Sequence, residues 1–270
     1  MDGKDKSRCC LRRLHVSVAF LSAAEKAGTS RPTPRRAHLL PHLQPPNEAQ
    51  PLGRVDMDPP DGSAGTITDG IHAKDQILRG IRDAAQKIRA ANPDRIITIG
   101  GNCLVSLAPF DYLHGLYPDC GIVWIDAHPD VSTVADGYPN AHAMVLGALL
   151  GRGDPTLAST MRNPSFSADS VLYVGLQGLH DYQQRFLDDA KVNYKVQTDG
   201  FVNDGEVCAF LKQFPQILVH LDIDVLDEHF FHSTYFANPE LVGDGAGGGR
   251  MTMERLGGIL RLITGEADVR

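Results

Sequence analysis

Two spacings of apolar residues alternate along the chain. Arg95-Ile96-Ile97-Thr98-Ile99, Cys120-Gly121-Ile122-Val123-Trp124-Ile125, Ser170-Val171-Leu172-Tyr173-Val174-Gly175 and Gln216-Ile217-Leu218-Val219-His220-Leu221 are apolar runs of strand length. Between them, apolar residues recur at helical intervals of three and four. Ile77, Ile81, Ala84, Ala85 and Ile88 mark the first helix, which ends at Ala91-Asn92-Pro93. Met253, Leu256, Leu260 and Ile263 mark the last, over residues 251–263. The pattern also predicts helices over 104–116 (interrupted by Pro109), 144–150, 181–190 and 207–214. Strand and helix in turn predict an α/β protein whose mostly parallel sheet is covered on both faces.

Residues 1–60 show neither spacing in a sustained way. Thr29-Ser30-Arg31-Pro32-Thr33-Pro34-Arg35-Arg36 and residues 41–60 are rich in proline. The expectation is a poorly ordered basic arm over 1–60 and one α/β domain over 61–270, with order setting in near Ile71. The apolar stretch from His15 to Ala24 is about ten residues, too short to span a bilayer. Arg12 and Arg13 before it imitate a leader, but Asp2 and Asp5 count against one.

Charge separates the two parts. The chain of 270 residues has net charge −7. Its first 54 residues hold ten Lys/Arg against four acids, so they carry +6 and the remainder −13. An acidic body suits cation binding and excludes a nucleic-acid platform; no membrane partner is expected either. Five scattered cysteines (9, 10, 103, 120 and 208) do not form a disulfide framework and favour a reducing, cytoplasmic setting.

The chemistry gathers where two apolar runs end. Trp124-Ile125 is followed by Asp126-Ala127-His128-Pro129-Asp130, three potential ligands at alternate positions. Alternate side chains of an extended segment point the same way, so the three can converge. The second run ends in Asp222-Ile223-Asp224, with Asp227 close behind. Strand ends are where an open α/β sheet keeps its ligands. Carboxylates favour hard cations such as Mn or Mg. Two like charges at 4 Å repel by about 4 kcal/mol at an effective dielectric near 20, and divalent cations cancel that. Two metals about 3.5–4 Å apart can acidify a shared water and aim it at an electrophilic carbon. A lone Asp-x-Asp commonly caps a loop; two such patterns on separate strands point to ligands. The run Gly245-Ala246-Gly247-Gly248-Gly249 lacks P-loop residues and reads as a flexible loop.

Gly100-Gly101-Asn102-Cys103, Asp126-Ala127-His128-Pro129-Asp130, Asn140-Ala141-His142 and Asp222-Ile223-Asp224-Val225-Leu226-Asp227 together resemble the ordered motifs of the ureohydrolases, the arginase–agmatinase family. The resemblance runs from about Ile71 to the end. It implies an arginase-like three-layer α/β/α fold, two Mn2+ ions and hydrolysis of a small guanidino or amidino substrate with release of urea. It implies that Asp126 and Asp222 bridge the metals, that Asp130 completes one shell, and that His128 and Asp224 complete the other. His142 and Asp130 are the candidate catalytic residues, His142 as proton shuttle or substrate contact. A homo-oligomer is expected.

Departures from the family pattern qualify this. Asn102-Cys103 stands where the family has Asp-His, whose imidazole binds the first metal. Cys103 is then either a softer ligand, favouring a softer metal or a single ion, or a small buried residue at a strand end. His142 is followed by Ala143-Met144-Val145, and can also be read as a helix-start residue. Gln177-Gly178-Leu179-His180-Asp181 replaces the family's substrate-recognition residues. The family strand after the last helix, with its guanidinium-binding Glu, is expected to be missing, because the sequence stops at Arg270. Two further readings remain: a non-catalytic relative serving as a binding or regulatory subunit, and an amidohydrolase on the same scaffold.

Overall fold

The computed structural model describes residues 14–19, 50–55, 66–197, 200–238 and 247–270. In chain order its strands are β1 (Leu14–Ala19), β2 (Gln50–Val55), β3 (Ile67–Thr68), β4 (Ile71–His72), β5 (Arg95–Thr98), β6 (Gly121–Ile125), β7 (Val171–Val174) and β8 (Ile217–Leu221). The helices are α1 (Lys74–Ala91), α2 (Leu107–Leu116), α3 (Val145–Leu149), α4 (Pro155–Ala158), α5 (Asp181–Ala190), α6 (Asp204–Leu211) and α7 (Met253–Glu266).

The organising sheet is β7-β6-β8, parallel throughout, with Ile125 opposite Val174 on one side and Leu221 on the other. Every residue of the central β6 is buried. Its side chains divide by the two-residue period of a strand. Ile122 and Trp124 pack into one core with Ile77 and Ile81 of α1, Leu113 of α2 and Leu187 of α5. Val123 and Ile125 pack into another with Val207 of α6 and Leu256, Ile259 and Ile263 of α7. Helices on both faces make three α/β/α layers, and that coverage is why β6 reads as an unbroken apolar run.

A second parallel sheet, β2-β1-β5, corrects part of the expectation for residues 1–60. Leu14 pairs with Arg95 and Ser17 with Thr98, while Val55 pairs with Ala19. The segment Leu14-His15-Val16-Ser17-Val18 does alternate apolar and polar residues, a strand signal too short to stand out among prolines. Pro51 and Gly53 lie in the edge strand β2, where proline is tolerated, and the register slips opposite Val16/Ser17. The rest of residues 1–60 lies outside the described residues.

Two helix expectations are also corrected. A 3-10 turn (Cys103–Ser106) precedes α2, so Pro109 falls in the first turn of α2 and breaks nothing. First-turn N–H groups have no intrahelical acceptor, so a proline there costs no bond. Helix α6 begins one turn earlier than its apolar residues suggest. Asn203 caps it, accepting from the Glu206 N–H at 3.0 Å while Glu206 accepts from the Asn203 N–H at 2.8 Å.

The strand expected to be missing after the last helix is begun. Val269 bridges Ile217 in parallel: the Ile217 N–H donates to the Asp268 carbonyl and the Arg270 N–H to the Ile217 carbonyl, both at 3.0 Å. Asp268 in turn takes a 2.8 Å ion pair from Arg95 of β5. Residues 268–270 therefore tie β8 to the second sheet.

The packing of α7 on β6 supplies a direct test. Replacing the fully buried Ile259 with Ala should lower the unfolding free energy by about 2–5 kcal/mol, and replacing the exposed Met253 by no more than about 0.5. Urea denaturation of both variants measures the difference; equal effects would contradict the two-faced core.

Candidate metal centre

Parallel register builds the site. Because β6 and β8 are in step, the Asp222 N–H donates to the Ile125 carbonyl at 2.9 Å and the Asp126 N–H to the Val174 carbonyl at 3.1 Å. The first residues beyond three neighbouring strands are thereby held side by side at their carboxyl ends. Asp126 turns back on its own loop, its Oδ1 accepting from the His128 N–H at 2.7 Å. Asp222 does the same in the next turn, accepting from the Asp224 N–H at 2.9 Å. Asn102 caps the 3-10 turn that carries Cys103, accepting from the Leu104 N–H at 3.1 Å.

The side chains form two groups that share Asp126. Cys103, Asp126, Asp130 and His220 each offer a ligand atom within 4.8 Å of the others, and so do Asp126, His128 and Asp224. Cys103 Sγ also lies 3.5 Å from Asp222 Oδ2, which brings the second bridging candidate to the same place. His128 Nδ1 stands 3.2 Å from Asp224 Oδ2 and 3.5 Å from Asp126 Oδ1. Asp130 has left-handed backbone (φ 50°), a conformation costly for most residues and tolerated by Asp. Tyr173 Oη donates to the Pro129 carbonyl at 2.8 Å and the Gly147 N–H to the Asp130 carbonyl at 3.0 Å, which hold that bend.

Polar atoms buried here lack the partners such atoms normally have. Asp130 Oδ2, Asp224 Oδ1, His128 Nε2 and His220 Nε2 make no hydrogen bond. Their donor set, carboxylate oxygens with imidazole nitrogens and one sulfur, fits divalent cations. Protonation follows the same crowding. Burial, then the charges of Asp126 and Asp222, push the Asp224 carboxyl up to about 7. Burial and Asp126 raise Asp130 well above the carboxylate range, with His142 pulling the other way. Burial and then Asp130, Asp126 and Asp222 raise the Cys103 thiol. Asp126 moves oppositely: burial opposes its charge, but the neighbouring imidazoles of His128 and His220 outweigh it and lower its pKa. His128 is raised, its bonds to Asp126 and Asp224 outweighing burial.

Each residue singled out in the sequence can now be placed. Cys103, Asp126, His128, Asp130, Asp222 and Asp224 come together. His142 sits in a 3-10 turn (Ala141–Met144) tied to the Asp130 loop, since the Ser132 N–H donates to the Ala143 carbonyl at 2.8 Å. Asp227 belongs to neither group, and its Oδ1 accepts from the His229 N–H at 2.9 Å and lies 2.8 Å from His229 Nδ1. In the glycine-rich stretch, the Gly249 N–H donates to the Asp224 carbonyl at 2.6 Å, and a Cβ there would strike the Val225 backbone. Gly249 thus anchors the ligand turn; Gly245 and Ala246 lie outside the described residues.

Sequence reasoning missed His220. It lies two residues before Asp222 on β8, so strand alternation puts both on one side; that signal was available. Burial masked it, because a His inside an apolar run reads as core.

A sheet wrapped by helices on both faces, with carboxylates and imidazoles collected at its carboxyl end, defines a three-layer α/β protein with a candidate metal-binding cluster. A sequence model of the Arginase family matches residues 47–265, and the chain belongs to that family. The match takes in β2, inside the segment read as an arm. Arginase from Saccharomyces cerevisiae is 27% identical over 156 residues, 53% of this chain and 46% of that protein. Arginase from Bacillus caldovelox is 26% identical over 186 residues, 63% of this chain and 62% of that one. The chain thus spans between about half and three-fifths of the length of these relatives. The crystal structure of Entamoeba histolytica arginase in complex with L-ornithine superposes with a TM-score of 0.72 at 17% identity, covering 96% of this chain and 90% of that one. That likeness establishes the arginase fold.

Shared ligands make a sharp prediction. Divalent Mn should raise the melting temperature of the metal-free chain, since a cation relieves the crowded carboxyls; 100-fold excess over Kd corresponds to about 2.7 kcal/mol. Asp126→Asn, which serves both groups, should abolish the rise, and Asp227→Asn should leave it intact. Thermal denaturation with and without metal reads this; an Asp126→Asn variant that still binds two ions would refute the sharing.

Proposed function

We propose that this chain is a metal-dependent hydrolase of linear guanidino or amidino C–N bonds, arginase- or agmatinase-like, that releases urea. The observation that carries this reading is the pair of ligand groups sharing Asp126 at the ends of β6 and β8, in a chain of the arginase family. Asp130, Cys103, His128 and Asp224 would hold two Mn2+ ions, with Asp126 and Asp222 as the candidates shared between them. When bound, such a pair supplies an acidified water and positive charge beside the carbon under attack.

The remaining work falls to the protein. The substrate carbon would lie beside the cluster, within reach of the activated water. Water adds to that carbon, the C–N bond to the chain nitrogen breaks, and the departing nitrogen takes a proton. His142, in the 3-10 turn tied to the Asp130 loop, would carry that proton. Gln177 and His180 are engaged locally: Gln177 Nε2 donates to the Gly247 carbonyl, and the His180 N–H donates to Gln183 at 3.0 Å as the cap of α5. Recognition of an amino-acid head group by these positions is therefore not part of the proposal. We further infer a homo-oligomer in a reducing, cytoplasmic setting; Cys103, Cys120 and Cys208 are all unpaired thiols.

A second reading, a non-catalytic family member acting as a binding or regulatory subunit, is favoured by one observation: a thiol, Cys103, stands within the candidate cluster where the resemblance implies an imidazole. Urea release separates the two. The Mn-loaded chain should release urea from arginine, agmatine or a guanidino acid, and His142→Ala should lower kcat about 10²–10⁴-fold with metal content unchanged. Full metal occupancy with no urea from any of them would favour the non-catalytic member; ammonia without urea would favour the amidohydrolase.

A further inference from the structure

A buried imidazole on β8 reaches the group that contains Cys103. His220 is 3% exposed, and its ring stacks on Trp124 with centroids 3.7 Å apart and planes 12° from parallel. Its Nδ1 lies 2.8 Å from Ser106 Oγ, which fixes the ring. Its Nε2 makes no hydrogen bond, yet lies 3.5 Å from Asp126 Oδ2, inside the group that contains Cys103 Sγ and Asp130. A histidine serving only as core would satisfy both nitrogens. His114 does so: it is buried and stacked on Phe166, with its nitrogens 2.9 Å and 3.1 Å from the carbonyls of Pro164 and Pro118.

We propose that the two metal positions of this chain are chemically unequal. Cys103, His220, Asp126 and Asp130 form a mixed thiolate–imidazole–carboxylate site built for a zinc-type cation. Asp126, His128 and Asp224 form the harder site suited to Mn2+, and Asp222, whose Oδ2 lies 3.5 Å from Cys103 Sγ, stands between the two. The inference takes from the proposed function only the locations of the ions, not turnover.

The chemistry is that of ligand softness. Sulfur and imidazole favour zinc and cobalt, while carboxylate sets serve Mn and Mg. Four protein ligands including a thiolate make a zinc-like set, and on binding the Cys103 thiol gives its proton to solvent as the S–metal bond forms. Ser106 acts here as a positioning residue: with a cation on Nε2, Nδ1 carries the proton and Ser106 Oγ accepts it. Trp124 fixes both partners, since its Nε1–H donates to Asp126 Oδ2 at 3.2 Å and its ring supports His220.

The test uses the full chain, stripped of metal and loaded with Co2+, Zn2+ or Mn2+. Zinc outcompetes Mn at almost any site, so the informative quantity is how the Zn/Mn affinity ratio changes on mutation. Co2+-loaded protein should show thiolate-to-cobalt charge-transfer absorption. Cys103→Ser should abolish that band, and Cys103→Ser and His220→Asn should each lower the Zn/Mn affinity ratio by about tenfold or more. A Co2+ spectrum without a thiolate band overturns the proposal without any variant, and so does an unchanged ratio in folded His220→Asn. The two readings fail separately: the band without urea release leaves this inference standing and removes the hydrolase, whereas urea release without the band does the reverse.

Discussion

Like charge held at the ends of parallel strands is the constraint from which the rest follows. The Asp222 N–H bonded to the Ile125 carbonyl locks β8 to β6 just where each gives way to an aspartate. The hydrogen bonds that make the sheet therefore also bring together carboxyls of which Asp126 and Asp130 are buried. At an effective dielectric near 20, a pair at 4 Å costs about 4 kcal/mol, a large share of a domain's usual stability. Such an arrangement is stable only if the charge is neutralised, by protons or by cations. The raised pKa values of Asp130 and Asp224 describe the first route, and the unbonded buried oxygens and nitrogens describe the second.

Several supporting features make sense in this light. Each ligand segment is braced by backbone contacts that have nothing to do with a metal. Tyr173 holds the Pro129 carbonyl, Gly249 holds the Asp224 carbonyl, and Asn102 caps the turn that presents Cys103. A cluster that repels itself cannot rely on its own side chains for position, so position comes from the frame. The left-handed backbone at Asp130 belongs to the same logic: local strain carried by a candidate ligand and supported from outside.

The legible part of the fold was the part whose burial writes itself into the sequence. Strand β6 is covered on both faces and appears as an apolar run; α1 and α7 are covered on one and appear as stripes. Strands β1 and β2 escaped because one is a six-residue alternation amid prolines and the other contains Pro51 and Gly53. The five Asp and His candidates were legible because acids and an imidazole directly after buried apolar runs stand out from the core, whereas Cys103 came only through the resemblance. His220 was not, because a histidine within a run such as Ile217-Leu218-Val219 looks like ordinary core until its unbonded nitrogen is seen. The 268–270 pairing could not be read locally at all, since three residues carry no period.

Trp124 is the sole tryptophan of the chain, and its indole is bonded to Asp126 and stacked on His220. The protein thus carries one indole fluorophore, buried at the shared carboxylate. Its emission has no second tryptophan to obscure it, so occupancy by a quenching paramagnetic ion can be followed in solution without any attached label.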